Sequence, residues 1–172
     1  SGQTKYSRGG DGRLTLKGAI RELLATEFLT SLGVPTSQTF SIIETGEELQ
    51  RNDEPSPTRS AVLVRRSNSH IRIGTFQRLK YYNEYDNIAL LLNHLSENYF
   101  TNIKSKKRIK ILAENIFLES VKRIAESIGR IVIAGFVHGV LNTDNFNVTG
   151  EMFDYGPWRF IEFANTFFTA AY

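Results

Sequence analysis

His138-Gly139-Val140-Leu141-Asn142-Thr143-Asp144-Asn145, followed nine residues on by Asp154-Tyr155-Gly156, is the stretch on which the reading of this chain turns. Asn145 and Asp154 offer hard oxygen donors of the kind Mg²⁺ prefers. Val140, two residues after the histidine, cannot accept a proton from a hydroxyl. The stretch follows Gly135 and reads as loop and short strand, with β-rich pieces at 146–148 and 152–153 bracketing Gly150.

Outward from that stretch, the rest of the chain reads as a small α+β protein. A Gly-rich loop over 1–13 is followed by a helix over 15–32 with an apolar stripe of Leu16, Ala19, Ile20, Leu23, Leu24 and Phe28. Gly33 and Pro35 end it. Two β-rich runs, 39–44 and 60–65, flank a polar segment with two prolines and read as a hairpin-like pair. A short helix near Phe76, a longer one over 86–100 and the longest over 105–134 follow. The last carries a stripe of Ile109, Leu112, Ile116, Phe117, Val121, Ile124 and Ile128, read as core. The basic run Lys104, Lys106, Lys107, Arg108 and Lys110 reads as its solvated start.

Composition narrows the function classes. With 172 residues and 41% hydrophobic content, one domain with a sizeable core is expected. A net charge of +3 is too small to argue for a nucleic-acid partner, and none is expected. The absence of cysteine excludes disulfides, thiolate catalysis and cysteine metal sites. No apolar run reaches the roughly 18 residues of a membrane helix, so no membrane partner is expected. The chain opens without methionine inside a polar loop and closes on an apolar stretch, which reads as an internal fragment.

The opening stretch keeps the spacing of a protein-kinase catalytic loop, H-R-D-x-x-x-x-N, and of its D-F-G metal motif, with Val140 in place of the aspartate. Two further segments accompany it. One is 6–13, Tyr-Ser-Arg-Gly-Gly-Asp-Gly-Arg, with Ile20-Arg21-Glu22; the other is 69–76, Ser-His-Ile-Arg-Ile-Gly-Thr-Phe. Together with Asp154-Tyr155-Gly156-Pro157 they resemble the SelO (YdiU) family across essentially the whole chain. Members are kinase-like proteins that transfer AMP from ATP to protein hydroxyls.

The resemblance implies a kinase-like α+β fold: a partial small lobe over 1–80, helix plus β-hairpin, then a mostly helical lobe over 81–172. It implies Mg²⁺ or Mn²⁺ on Asn145 and Asp154, and Asp144 as proton acceptor. ATP would be contacted by Asp11, Gly12 and Asp154, with phosphates on Arg65 and Arg72. Glu22 would match the helix glutamate that orients a phosphate-binding lysine. The chemistry of the residues agrees, because arginine grips phosphate with a rigid bidentate fork. Acceptors would be Ser, Thr or Tyr hydroxyls of proteins. The compartment would be cytoplasmic, or mitochondrial in a eukaryote.

Some positions stay open on the residues alone. Glu22 lies off the apolar stripe while Glu27 is nearer its centre, and only the resemblance selects Glu22. Arg65 and Arg66 would point to opposite faces of a strand, so one of them serves the site, and family spacing selects Arg65. His138 reads as a loop-orienting residue, and His70 and His94 as surface or packing residues. The family's lysine falls upstream of residue 1, so a catalytically inactive or nucleotide-binding remnant is the alternative reading, and a basic interaction module with vestigial motifs a third.

Overall fold

The computed structural model describes residues 2–5, 7, 9–103, 108–163, 165 and 167–170. They form an α+β arrangement of four helices and two small antiparallel sheets. Strand β1 (Leu14–Thr15) leads directly into helix α1 (Leu16–Ser31), whose N-cap Thr15 accepts the Gly18 N–H. Gly33, at φ 72°, provides the left-handed turn that ends it. Strands β2 (Gln38–Leu49) and β3 (Thr58–Arg66) pair antiparallel, with β3 central in the order β1-β3-β2. Both strands run further into the polar connection than their β-rich cores predict. Ion pairing across the ladder explains part of the extension, since Arg59 clasps Glu44.

Helices α2 (Ile73–Tyr81), α3 (Tyr85–Asn98) and α4 (Ile109–Ile133) follow. A two-residue pairing of β4 (Phe136–Val137) with β5 (Arg159–Phe160) closes the loop that carries the opening stretch. The sequence reading set α4 to begin near 105; it begins at Ile109, and Lys104, Lys106 and Lys107 lie outside the described residues.

Two apolar clusters hold these elements. Ala25 and Leu29 of α1 meet Val34, Ile131, Phe136, Phe146, Met152 and Tyr155 in one. Leu92, Leu95, Phe100, Leu112, Ile116 and Val148 form the other. The stretch 138–156 contributes to both, through Phe146, Met152 and Tyr155 on one side and Val148 on the other.

The apolar stripes are where the sequence reading needs correction. On α1 the buried residues are Ala19, Ala25, Thr26 and Leu29, whereas Ile20, Leu24 and Phe28 are exposed. Ala25 and Leu29 pack with Ile131 and Phe136, while Thr26 lies 3.3 Å from Thr39 of β2, hydroxyl to hydroxyl. On α4 Leu112 and Ile116 are core as expected, joined by Ser120, Ser127 and Ile131, while Ile109, Phe117 and Val121 are exposed. Ser127 satisfies its hydroxyl by donating to the Gly150 carbonyl at 2.7 Å.

Candidate functional site

The stretch 138–156 is irregular, yet its backbone is tied down at almost every turn. The Ile73 and Gly74 N–H groups donate to the Phe146 and Thr143 carbonyls at 3.2 and 3.0 Å. Val148 N–H donates to Ile71 at 2.8 Å, and Ser37 N–H to Met152 at 2.9 Å. Thus the segments before β2 and before α2 both dock on it. His138 is buried and joins its ends: its Nε2 lies 2.5 Å from the Asp154 carbonyl, and Nδ1 accepts the Val140 N–H at 3.3 Å. With Nδ1 accepting, the Nε2 hydrogen donates to Asp154, which fixes the neutral tautomer. His138 is a structural clamp, as the sequence suggested. Gly156, at φ 57°, packs so close to its ring that a Cβ would stand 3.2 Å from Cε1.

Two adjoining clefts, each of about 480 Å³, collect most of the candidate residues. The first is lined by Gly18, Arg21 and Glu22 of α1, Leu63 and Arg65 of β3, and His70, Phe153, Asp154 and Gly156. Glu22 and Arg65 meet there as an ion pair, both side chains largely buried at 15% and 11% exposure. Glu27 is exposed, so the position chosen by resemblance is the paired one. Arg66 points the other way and donates to Gln38 Oε1 at 2.9 Å, as strand alternation requires.

Burial holds the Arg65 guanidinium below its ordinary pKa, and nearby Tyr155 and Asp154 act against that shift. It remains a cation, and its charge is met by the Phe153 and Tyr155 rings at 5.1 and 5.5 Å as well as by Glu22. On the other side of the ion pair, Arg21 lies 4.5 Å from the Trp158 ring centre and donates to the Trp158 and Pro157 carbonyls. That contact fastens the segment after Gly156 to α1.

The second cleft is lined by Lys5, Arg72, Gly74, Thr75, Gln77, Arg78, Tyr82 and Asp144. Arg72, the N-cap residue of α2, reaches the Asp144 carbonyl at 3.5 Å, and its guanidinium stands 5.3 Å from the Phe153 ring centre. The Asp144 carboxylate rests against Gly74 in the first turn of α2.

Asn145, next in sequence to Asp144, is buried and lines neither cleft. Its Oδ1 accepts the Asn142 N–H at 2.8 Å, and its carbonyl accepts the Phe153 N–H at 2.7 Å. Asp154 is exposed, with Oδ1 accepting the Gly156 N–H at 3.2 Å. An amide oxygen has two lone pairs, and the Asn142 N–H uses one of those on Asn145 Oδ1. Among the described residues no group of three or more His, Cys, Asp or Glu side chains could hold a metal. A single carboxylate with one amide oxygen fits an ion that takes most of its ligands from phosphate and water, as Mg²⁺ does.

Asp11 and Gly12 line neither cleft. Asp11 pairs with Arg51 at 2.8 Å, and its carboxylate accepts the Arg13 N–H at 3.0 Å. The Arg13 hydrogen bond first, then Arg51, hold its pKa below the usual carboxylate range. Gly12, at φ 66°, accepts the Gly2 N–H at 2.8 Å in a loop too tight for a Cβ. Two residues that the sequence did not single out belong to the site. Phe153 touches both candidate arginines, and Gly74 accommodates Asp144. Their only sequence signal is position: one precedes the metal-motif aspartate, the other follows Arg72 by two.

No described helix is long and apolar enough to cross a membrane. The family model "Protein adenylyltransferase SelO" matches residues 1–172. Proteins named "Protein nucleotidyltransferase YdiU" from Trichormus variabilis and Trichodesmium erythraeum are 54% and 55% identical over 100% of this chain, which covers 35% and 37% of their own lengths. The protein of that name from Clostridium botulinum is 36% identical over 94% of this chain and 32% of its own length. The chain thus spans about a third of the length of the curated relatives it matches. On the family match, which extends over its full length, this chain belongs to the protein adenylyltransferase SelO family.

Proposed function

We propose that this chain carries the metal, acid and arginine half of a kinase-like protein adenylyltransferase site. The small lobe is 1–80 and the helical lobe 81–172. The observation that carries this reading is the meeting of Glu22 on α1, Arg65 on β3 and Asp154 around one cleft, with Asp144 on the cleft beside it. Helix, strand and loop supply one group each, which is how a site that grips a polyphosphate between two lobes is assembled.

In this reading Arg65 and Arg72 hold phosphates of ATP, and Asn145 and Asp154 hold Mg²⁺ or Mn²⁺. When bound there, the ion would supply charge neutralisation to the phosphate oxygens. Asp144 takes the proton from a Ser, Thr or Tyr hydroxyl of a protein acceptor. The hydroxyl oxygen forms a bond to the α-phosphorus, the bond from that phosphorus to the β-phosphate oxygen breaks, and pyrophosphate leaves. Val140, half exposed, has no atom that could accept that proton. Asp11 and Gly12 contact the nucleotide once the Asp11–Arg51 pair opens.

A second reading rests on the Arg65–Glu22 pair. With Glu22 occupied by Arg65, that second reading is a nucleotide-binding remnant without transfer activity. Calorimetric titration with ATP, with and without Mg²⁺, followed by transfer of label from α-labelled ATP, separates the two. Binding with transfer supports the enzyme, and binding without transfer supports the remnant. No binding by the folded chain overturns both.

A further inference from the structure

We infer that Phe153 is a positioning residue for phosphate recognition: its ring sets the spacing of Arg65 and Arg72. The inference rests on the nucleotide reading of the first cleft. Arg65 comes from the end of β3 and Arg72 from the N-cap of α2, so no secondary structure fixes one against the other. Both guanidinium carbons nevertheless lie within 5.3 Å of the same ring centre, Arg65 at 5.1 Å and Arg72 at 5.3 Å.

Two like charges brought this close repel each other, and a polyphosphate gains most when both are already in place. The electronegative faces of an aromatic ring attract a cation at this range, and more strongly where water is excluded. Arg65 is largely buried, so that condition holds at its side of the ring.

The ring is itself held. Phe153 N–H donates to the Asn145 carbonyl at 2.7 Å, the next residue is Asp154, and His70 meets the ring edge-on at 5.7 Å. Phe153 thereby links the two arginines, through its ring, to both candidate metal ligands, through its backbone. A leucine at position 153 would fill similar space and keep every backbone hydrogen bond, but would offer no electronegative face.

The test compares ATP and adenosine binding, both with Mg²⁺, in the parent chain, F153L and F153Y, with thermal melting as a check on folding. F153L is expected to weaken ATP binding about tenfold through loss of two cation–π contacts, with adenosine affinity unchanged. F153Y, which keeps the ring, is expected to stay within about twofold of the parent for ATP. A merely structural role would move both ligands together or neither.

In the parent chain without ligand, the side-chain protons of Arg65 and Arg72 should carry ring-current shifts in NMR spectra. Their absence overturns the inference whether or not F153L folds. Unchanged ATP affinity in F153L overturns it alone. A parent chain that binds no ATP overturns the nucleotide reading, and the inference with it.

Discussion

Gly74 and Asp144 are fitted to each other: a Cβ on Gly74 would overlap Asp144 Oδ1 and stand 3.2 Å from its Cγ. The Asp144 carboxylate therefore lies flat on the first turn of α2, where any side chain would displace it. Gly74 is the second residue of α2, a helical position that alanine tolerates at least as well as glycine. G74A should accordingly leave stability unchanged or raise it slightly, because the short Asp144 side chain rotates away instead of the backbone shifting. If Asp144 is the proton acceptor, transfer should fall about 10²-fold or more while ATP binding stays near the parent value. Melting curves alongside labelled transfer check this. Full transfer in G74A would show that Asp144 need not occupy its present place.

The Glu22–Arg65 pair makes a stability prediction that is independent of catalysis. Breaking a buried ion pair strands the remaining charge and costs about 3–5 kcal/mol, and both partners here are largely buried. E22Q should lower the unfolding free energy by about 2–3 kcal/mol, at or below that range because the amide still accepts from Arg65. R66A, on the opposite face of the strand, should be nearly silent. Urea unfolding of E22Q, R66A and the parent measures both. An E22Q chain as stable as the parent would mean that the pair forms only weakly in solution.

Tyr155 gives a pH dependence with a definite sign. Its ring is fully buried against Phe136, and its hydroxyl lies 3.4 Å from the Ser37 and Met152 carbonyls. Burial raises its pKa, with the Ser37 hydrogen bond and Arg65 opposing. The folded state thus holds this proton more tightly than the unfolded state, where tyrosine titrates near pH 10. The associated stability is fully present below about pH 10 and is lost as pH rises towards the folded-state value. Y155F should flatten the alkaline limb of the stability–pH curve, and absorbance titration should find one tyrosine that ionises only on unfolding. Ionisation of all seven tyrosines together near pH 10 would contradict this burial.

The same contrast explains what the sequence could and could not disclose. Helices α1 to α4 and the hairpin were legible because their periodicity and their Gly and Pro stops are local. Glu22, Arg65, Arg72, Asp144, Asn145 and Asp154 were named through a family resemblance, and the structure brings Glu22, Arg65 and Asp154 to one cleft and Arg72 and Asp144 to another. Which face of α1 is buried was not legible. The long apolar residues Ile20, Leu24 and Phe28 make the stronger pattern, yet the buried face is that of Ala19, Ala25, Thr26 and Leu29, with Thr26 against β2 and Ala25 and Leu29 against Ile131 and Phe136. Nor was the part played by Phe153, because an aromatic before an aspartate carries no signal until two distant arginines arrive at its ring. The hold of Arg51 on Asp11 was hidden for the same reason, since 40 residues separate them.

Asn145 and Asp154 yield the prediction that bears most directly on the site, because their environments differ. Asp154 is exposed and its removal leaves the packing of the loop intact, apart from one hydrogen bond to Gly156 N–H. D154A should therefore fold like the parent and lose the Mg²⁺-dependent part of ATP binding. Asn145 is buried, and its side chain also accepts the Asn142 N–H. N145A should lose metal dependence and also about 1–2 kcal/mol of stability from the stranded donor. N145D keeps an oxygen for both duties and should restore the stability and part of the Mg²⁺ effect. Calorimetry at several Mg²⁺ concentrations, paired with melting curves, separates the two contributions. Equal Mg²⁺ dependence in the parent chain and D154A would remove Asp154 from the metal site and leave it only its hydrogen bond to Gly156.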